Sequence, residues 1–129
     1  MFFMELNFTP KFSAGFDTQK PFSNEKFFNA VFEAMKFQFK LYGIIPFKLI
    51  YQDENEIDLN MGEIHITEMD LKKISEFFAQ INKKFGTQIT YCIYHSTQFP
   101  GDMLLNIRGP NAPMLLSNKI KFSFDERKA

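Results

Sequence analysis

The residues able to do chemistry are few: His65, His95, Cys92, Tyr91, Tyr94, Asp102 and a scatter of carboxylates. Cys92-x-x-His95 has the spacing of half a metal site. On a strand, however, an odd separation sends the two side chains to opposite faces, so they cannot share an ion there. His65 and His95 are expected at one rim of a sheet with a strand between them, about 10 Å apart, too far for a common ligand. A substrate could bridge that gap, with Asp102 or Glu63 orienting it and Cys92 or Tyr91 assisting, but no nucleophile is fixed beside a base. The run Asp53-Glu54-Asn55-Glu56-Ile57-Asp58 places Ile where a calcium loop needs an oxygen, and the required Gly is missing. Glycines stand singly, so neither common phosphate-cradling loop is present. No cofactor and no metal are expected.

Whatever positions these groups must be built from 129 residues, enough for one hydrophobic core. Fifteen basic residues balance fifteen acidic ones at 45% hydrophobic content, so the broad attraction that draws proteins to nucleic acid or anionic lipid is missing. Nucleic acid and membrane are therefore not expected partners. Sheet-face RNA binding is further opposed by Glu56, Asp58 and Asn60 on a central strand, although Lys83, Lys84, Arg108, Lys119 and Lys121 could contact phosphate as point charges. One cysteine makes no internal disulfide, the segment Met1 to Phe8 is too short and too interrupted for a leader, and no apolar run reaches the roughly 20 residues of a membrane span. These features predict a cytosolic protein. The 18 phenylalanines, set beside arginine at only Arg108 and Arg127, reflect the bias of an AT-rich coding genome, with Phe doing the core work of Leu.

The pattern along the chain predicts the elements. Phe2, Met4, Leu6 and Phe8 alternate as in a half-buried strand, and Lys11 to Phe22 form a long loop pinned by Phe12, Phe16 and Phe22. A helix is expected from Asn24 to Tyr42, capped by Ser23 and closed by Gly43. Ile44 to Gln52 and Glu56 to Ile66 read as a hairpin joined by Asp53-Glu54-Asn55, with Asn55 left-handed. Its alternation places Tyr51 opposite Ile57, Leu49 opposite Leu59 and Phe47 opposite Met61, leaves Asp58 on the outer face, and puts a bulge at Gly62. Thr67 to Asp70 opens a second helix as a capping box, Leu71, Ile74, Phe77, Phe78, Ile81 and Phe85 form its apolar stripe, and Gly86 ends it. Strands follow at Ile89 to Tyr94, Met103 to Arg108 and Lys119 to Phe124, and Asp125 to Ala129 form a frayed tail. The order implies one α+β domain over residues 1–124, with two helices on one face of a mainly antiparallel sheet. Its plan is a ferredoxin-like split βαβ with one or two added C-terminal strands.

Two surfaces suggest interaction. The first helix is apolar over more than half its circumference: Phe28, Val31, Met35 and Phe39 cover one side, while Phe27, Ala34, Phe37 and Leu41 continue past it toward the loop, the second helix or another chain. Asp53, Glu54, Glu56 and Asp58 form an acidic surface suited to a basic partner. The expected function is accordingly a small non-enzymatic protein-binding module, of the kind exemplified by adaptors, inhibitors, immunity-type and phage accessory proteins, acting on a protein partner or as a homodimer. The alternative is a small enzyme or ligand-binding protein using the rim with His65, His95 and Asp102.

Overall fold

The computed structural model describes residues 15–41, 48–113 and 120–121, apart from the side chains of 39–41 and 120–121. Helix α1 spans Glu25–Leu41 and α2 spans Glu68–Phe85; the strands are β1 Lys48–Gln52, β2 Glu56–Gly62, β3 Thr90–His95, β4 Met103–Arg108 and the short β5 Ile120–Lys121. This is an α+β fold. The expected N-terminal strand Phe2 to Phe8, the C-terminal tail, and Phe47 with its pairing to Met61 lie outside the described residues.

Each helix starts where a side chain can satisfy its first N–H groups. The Asn24 carboxamide oxygen accepts from Phe27 N at 2.8 Å, so Asn24 caps α1. Ser23, the cap expected from sequence, belongs instead to a turn begun by Pro21, and its hydroxyl donates to the Lys20 carbonyl at 2.8 Å. At α2 the expected reciprocal pair forms: Asp70 N donates to Thr67 Oγ1 and Thr67 N to the Asp70 carboxylate. Gly86 ends α2 in the left-handed region at φ 68°. Asn82 then ties the exit of α2 to the coming strand, donating to the Ile89 carbonyl and accepting from Ile89 N, both at 2.9 Å.

The strands lie in the order β1-β2-β4-β3-β5, every neighbouring pair antiparallel. β2 and β3 consequently run parallel with α2 joining them and β4 inserted between, a split βαβ unit. In a ferredoxin-like sheet the N-terminal strand takes that inner place; here β4 takes it, because the short turn 96–102 returns the chain directly alongside β3. One face of the sheet carries Ile57, Leu59, Met61, Ile93, Met103, Leu105 and Ile107 into a single core with Phe27, Phe28, Val31 and Met35 of α1 and with the stripe of α2. Both helices therefore cover the same face. Phe27 in the first turn of α1 meets Phe85 in the last turn of α2 at 5.1 Å between rings, so the start of α1 lies against the end of α2.

The β1–β2 register departs from the expected one. Leu49 faces Leu59 as alternation requires, but Tyr51 faces Asp58 and Gln52 faces Ile57, with an irregularity between Leu49 and Tyr51 that leaves Ile50 over. The cause is the loop: Asp53 Oδ1 accepts from Asn55 N at 2.7 Å and Glu56 N at 2.9 Å, while Asp53 N donates to Glu56 O. This carboxylate closes the turn, and Asn55 keeps a negative φ rather than the left-handed one expected of it. The bulge at Gly62 is present, at φ 78°, and ends β2 there, so Ile66 enters the core from the connection to α2 rather than from a strand.

Candidate functional site

His65 is exposed in the β2–α2 connection and His95 ends β3, so the two flank the start of β4 at one rim, as the spacing suggests. Asp102 lies between them and holds the rim together: its carboxylate accepts from Asn60 Nδ2 at 3.0 Å and its carbonyl from Ser96 N at 2.9 Å. Glu63 reaches over Gly101, where an added Cβ would stand 2.9 Å from Glu63 Oε2. Cys92 and His95 take opposite sides of β3, Cys92 opposite Asn106 and His95 in phase with the core residue Ile93. Among the described residues no group of three or more His, Cys, Asp or Glu could hold a metal ion, and no helix is long and apolar enough to cross a membrane.

The sheet face turned away from the helices carries a polar network that alternation alone did not disclose. Asn106, fully buried, donates through Nδ2 to Asp58 Oδ1 at 2.6 Å and to Glu56 Oε1 at 3.0 Å. Tyr94 OH donates to the same Asp58 oxygen at 3.2 Å. Burial first, and then the Asp58 carboxylate, push the Tyr94 phenol well above its ordinary value, so Tyr94 keeps its proton and acts as a fixed donor. Asp58 is 9% exposed and belongs to this network; it is not part of an acidic surface. The expected outer face is buried at Asp58, and the register that sets Asp58 opposite Asn106 of β4 supplies the donor that makes this burial tolerable. Asn106 Oδ1 and Arg108 Nε are buried without a hydrogen-bond partner. Arg108 is on β4 whereas Lys83 and Lys84 lie in the last turn of α2, so the described basic residues do not share one element.

The remaining acidic residues shape the hairpin tip. Burial raises the Asp53 carboxyl, but the N–H groups of Asn55 and Glu56 and the Tyr51 hydroxyl outweigh it and hold Asp53 below the usual carboxylate range. The same bond to Asp53, with its charge, raises Tyr51. Glu54 meets Lys20 Nζ at 2.9 Å, and that contact raises the lysine. Glu56 is half-buried against Asn106.

On α1 the four residues of the continued apolar arc separate. Phe27 is 0% exposed and stacks on Phe16 of the preceding loop at 4.5 Å, so that loop covers this part of the helix. Ala34 is half-buried against the core, Phe37 is 60% exposed, and the Leu41 side chain lies outside the description.

Among the described residues, the run of adjacent exposed large apolar side chains lies on β1. It is an outer strand that pairs only with β2 among the described residues, and all five of its side chains are exposed. Leu49, Ile50 and Tyr51 are 40%, 44% and 48% exposed in direct succession. A strand exposed on both faces lies beyond the cover of the helix layer. Sequence reading placed Leu49 and Tyr51 on the buried face of the hairpin; the visible signal against that was Pro46 close ahead of the strand, a residue tolerated mainly at sheet edges. No protein family, curated protein or solved structure matches the chain.

Proposed function

We propose that this chain is a small non-enzymatic protein-binding module of the cytosol, and that its partner docks on the outer strand β1. The observation that carries the reading is three consecutive apolar side chains, Leu49, Ile50 and Tyr51, exposed on a strand with one edge unpaired among the described residues. Such an edge presents a row of backbone donors and acceptors to which an extended segment can add as a further strand, with side-chain pockets alternating along it. The acidic tip at Asp53 and Glu54 adjoins the strand and favours a segment carrying a basic residue at that end.

Selection of random peptides displayed on phage against the wild-type chain tests this. The expected binders have alternating apolar residues, and Leu49→Lys weakens them by about tenfold or more, the loss typical of a central contact. Because Leu49 is exposed, that variant retains the wild-type unfolding midpoint. Binders indifferent to Leu49→Lys but lost on Phe37→Glu would move the docking surface to α1 and overturn the assignment to β1.

A further inference from the structure

The segment ahead of α1 changes character at Lys20. None of residues 15–20 is buried, whereas Pro21 and Phe22, which follow at once, are buried. Pro21 lies so close to Gly109 that a Cβ there would stand 3.1 Å from the proline Cδ, and Gly109 N donates to Asn55 O at 2.7 Å, so this side is fixed against the exit of β4 and the β1–β2 loop. We propose that residues 16–20 form a strap that closes over the first turn of α1 by seating Phe16 and clasping Lys20 to Glu54, and that opens as a unit while both helices and the sheet stay folded.

The polar contacts that close the strap lie at the surface. Lys20 Nζ meets Glu54 Oε1 at 2.9 Å with both side chains about half exposed, and Asn111 Nδ2 donates to the Gln19 carbonyl at 3.1 Å in an exposed bond. An exposed ion pair contributes little, because water and salt screen it and two long side chains must be ordered to form it. Two further bonds, Gln19 N to Asp17 Oδ1 at 2.9 Å and Lys20 N to Asp17 O at 3.0 Å, join the strap's residues to one another and not to the rest of the fold.

The apolar closure is the Phe16 ring, stacked on Phe27 at 4.5 Å and edge-on to Phe85 at 5.9 Å. Phe16 is itself half-buried, while Phe27 beneath it is fully buried. Opening therefore gives up one ring stack and a few surface bonds, far less than the burial lost when a helix leaves the sheet. It uncovers the face of Phe27 on which Phe16 lies, beside Phe85 standing at 86° to it. The strap is thus a cover over an aromatic corner, and whatever screens Glu54 or competes for it loosens the clasp.

Native-state hydrogen exchange of the full chain, followed by NMR at the Gln19 and Lys20 amides and, for reference, at the slowest amides of α2, tests the proposal. Released from its seat, a turn of this length does not hold its two bonds against the entropy of the chain, so both strap amides exchange on opening. Their rates should hardly depend on low urea, since opening exposes little surface, while the α2 amides show the full slope of unfolding. Glu54→Gln should speed the strap amides by up to about fivefold, the range of an exposed pair. Salt at about 1 M should do the same to the wild type and little to that variant. Lys20→Glu combined with Glu54→Lys should return the wild-type rate, since the exchange restores opposite charges. Phe16→Ala should speed the strap amides about tenfold or more; if it does not fold, Phe16→Leu removes the ring stack and keeps the apolar bulk. Thr67→Ala loosens the cap of α2 equally in the open and closed forms, so it should speed the α2 amides about fivefold and leave the strap amides unchanged. Strap amides that follow α2 in urea slope or in response to Thr67→Ala, or that ignore both Glu54→Gln and the Phe16 variants, overturn the proposal.

Discussion

Replacing Asn106 with leucine removes the buried donor that joins the two carboxylates of β2. Its Nδ2 makes hydrogen bonds of 2.6 Å to Asp58 and 3.0 Å to Glu56. Bonds to charged acceptors contribute about 1.5–3 kcal/mol each, so the gross loss is about 3–6 kcal/mol. Against it stands the orphaned Asn106 Oδ1, buried without a donor, whose desolvation costs about 1–3 kcal/mol and disappears with the side chain. The net expectation is a destabilisation of about 2–3 kcal/mol, with no cavity contribution because leucine matches asparagine in heavy-atom count and is the bulkier residue, and any overpacking adds to the loss. With m near 1–3 kcal/mol/M, the urea midpoint should fall by about 1–2 M at unchanged m. Asn106→Asp should be worse still, since it sets a third carboxylate among the other two. Tyr94→Phe removes one 3.2 Å bond to the same Asp58 oxygen, and in the double variant with Asn106→Leu its cost should not add, because both donors serve one acceptor. An Asn106→Leu variant with an unchanged or raised midpoint would refute the reasoning, for it would mean that Asp58 does not depend on the network.

Three further outcomes follow from the same structure. Thr67→Ala opens the capping box of α2 and should cost about 1 kcal/mol, read as a lower thermal midpoint with an unchanged fold by circular dichroism. Asp53 is held below the usual carboxylate range in the folded chain, so its contribution to stability is full above the ordinary value of about 3.9 and is lost as pH falls through its lower folded value. Asp53→Asn should therefore flatten the acid side of the stability profile in urea titrations, and an unchanged acid slope would contradict the loop geometry. Tyr94 behaves oppositely: its folded value is raised, so its contribution is full below the ordinary tyrosine value of about 10 and declines as pH rises beyond it, because the unfolded chain ionises first. Tyr94→Phe should reduce the loss of stability above about pH 10, and an unaltered alkaline slope would show that the phenol is not enclosed with Asp58.

Much of this architecture is legible in local chemistry. Thr67, Asp70 and Gly86 mark both ends of α2 because a capping box and a left-handed glycine act within a few residues of chain. The core stripe of α2 follows from helical period, and the bulge at Gly62 from one break in alternation. The register at β1 was less legible, since the Asp53 carboxylate closes the loop more tightly than a left-handed Asn55 would and shifts Tyr51 onto Asp58. The start of α1 also slipped by one residue, because Pro21 draws Ser23 into its own turn and leaves the cap to Asn24.

The candidate site divides along the same line. Period and spacing placed His65 and His95 at one rim with a strand between them and put Cys92 and His95 on opposite sides of β3. They did not show that Asp58 is buried, that Phe27 is covered by the Phe16 loop, or that Leu49, Ile50 and Tyr51 are exposed together. The linear sequence by itself determined the two helices, the caps of α2, the hairpin and the side chains able to form one apolar core, because those depend on interactions a few residues long. Only the tertiary structure decided that β4 lies between β2 and β3, so that Asn106 meets Asp58, and that β1 is left at the margin beyond the helices. Strand order depends on contacts between segments far apart in the chain, and period-two alternation is the same at a sheet's centre and at its edge.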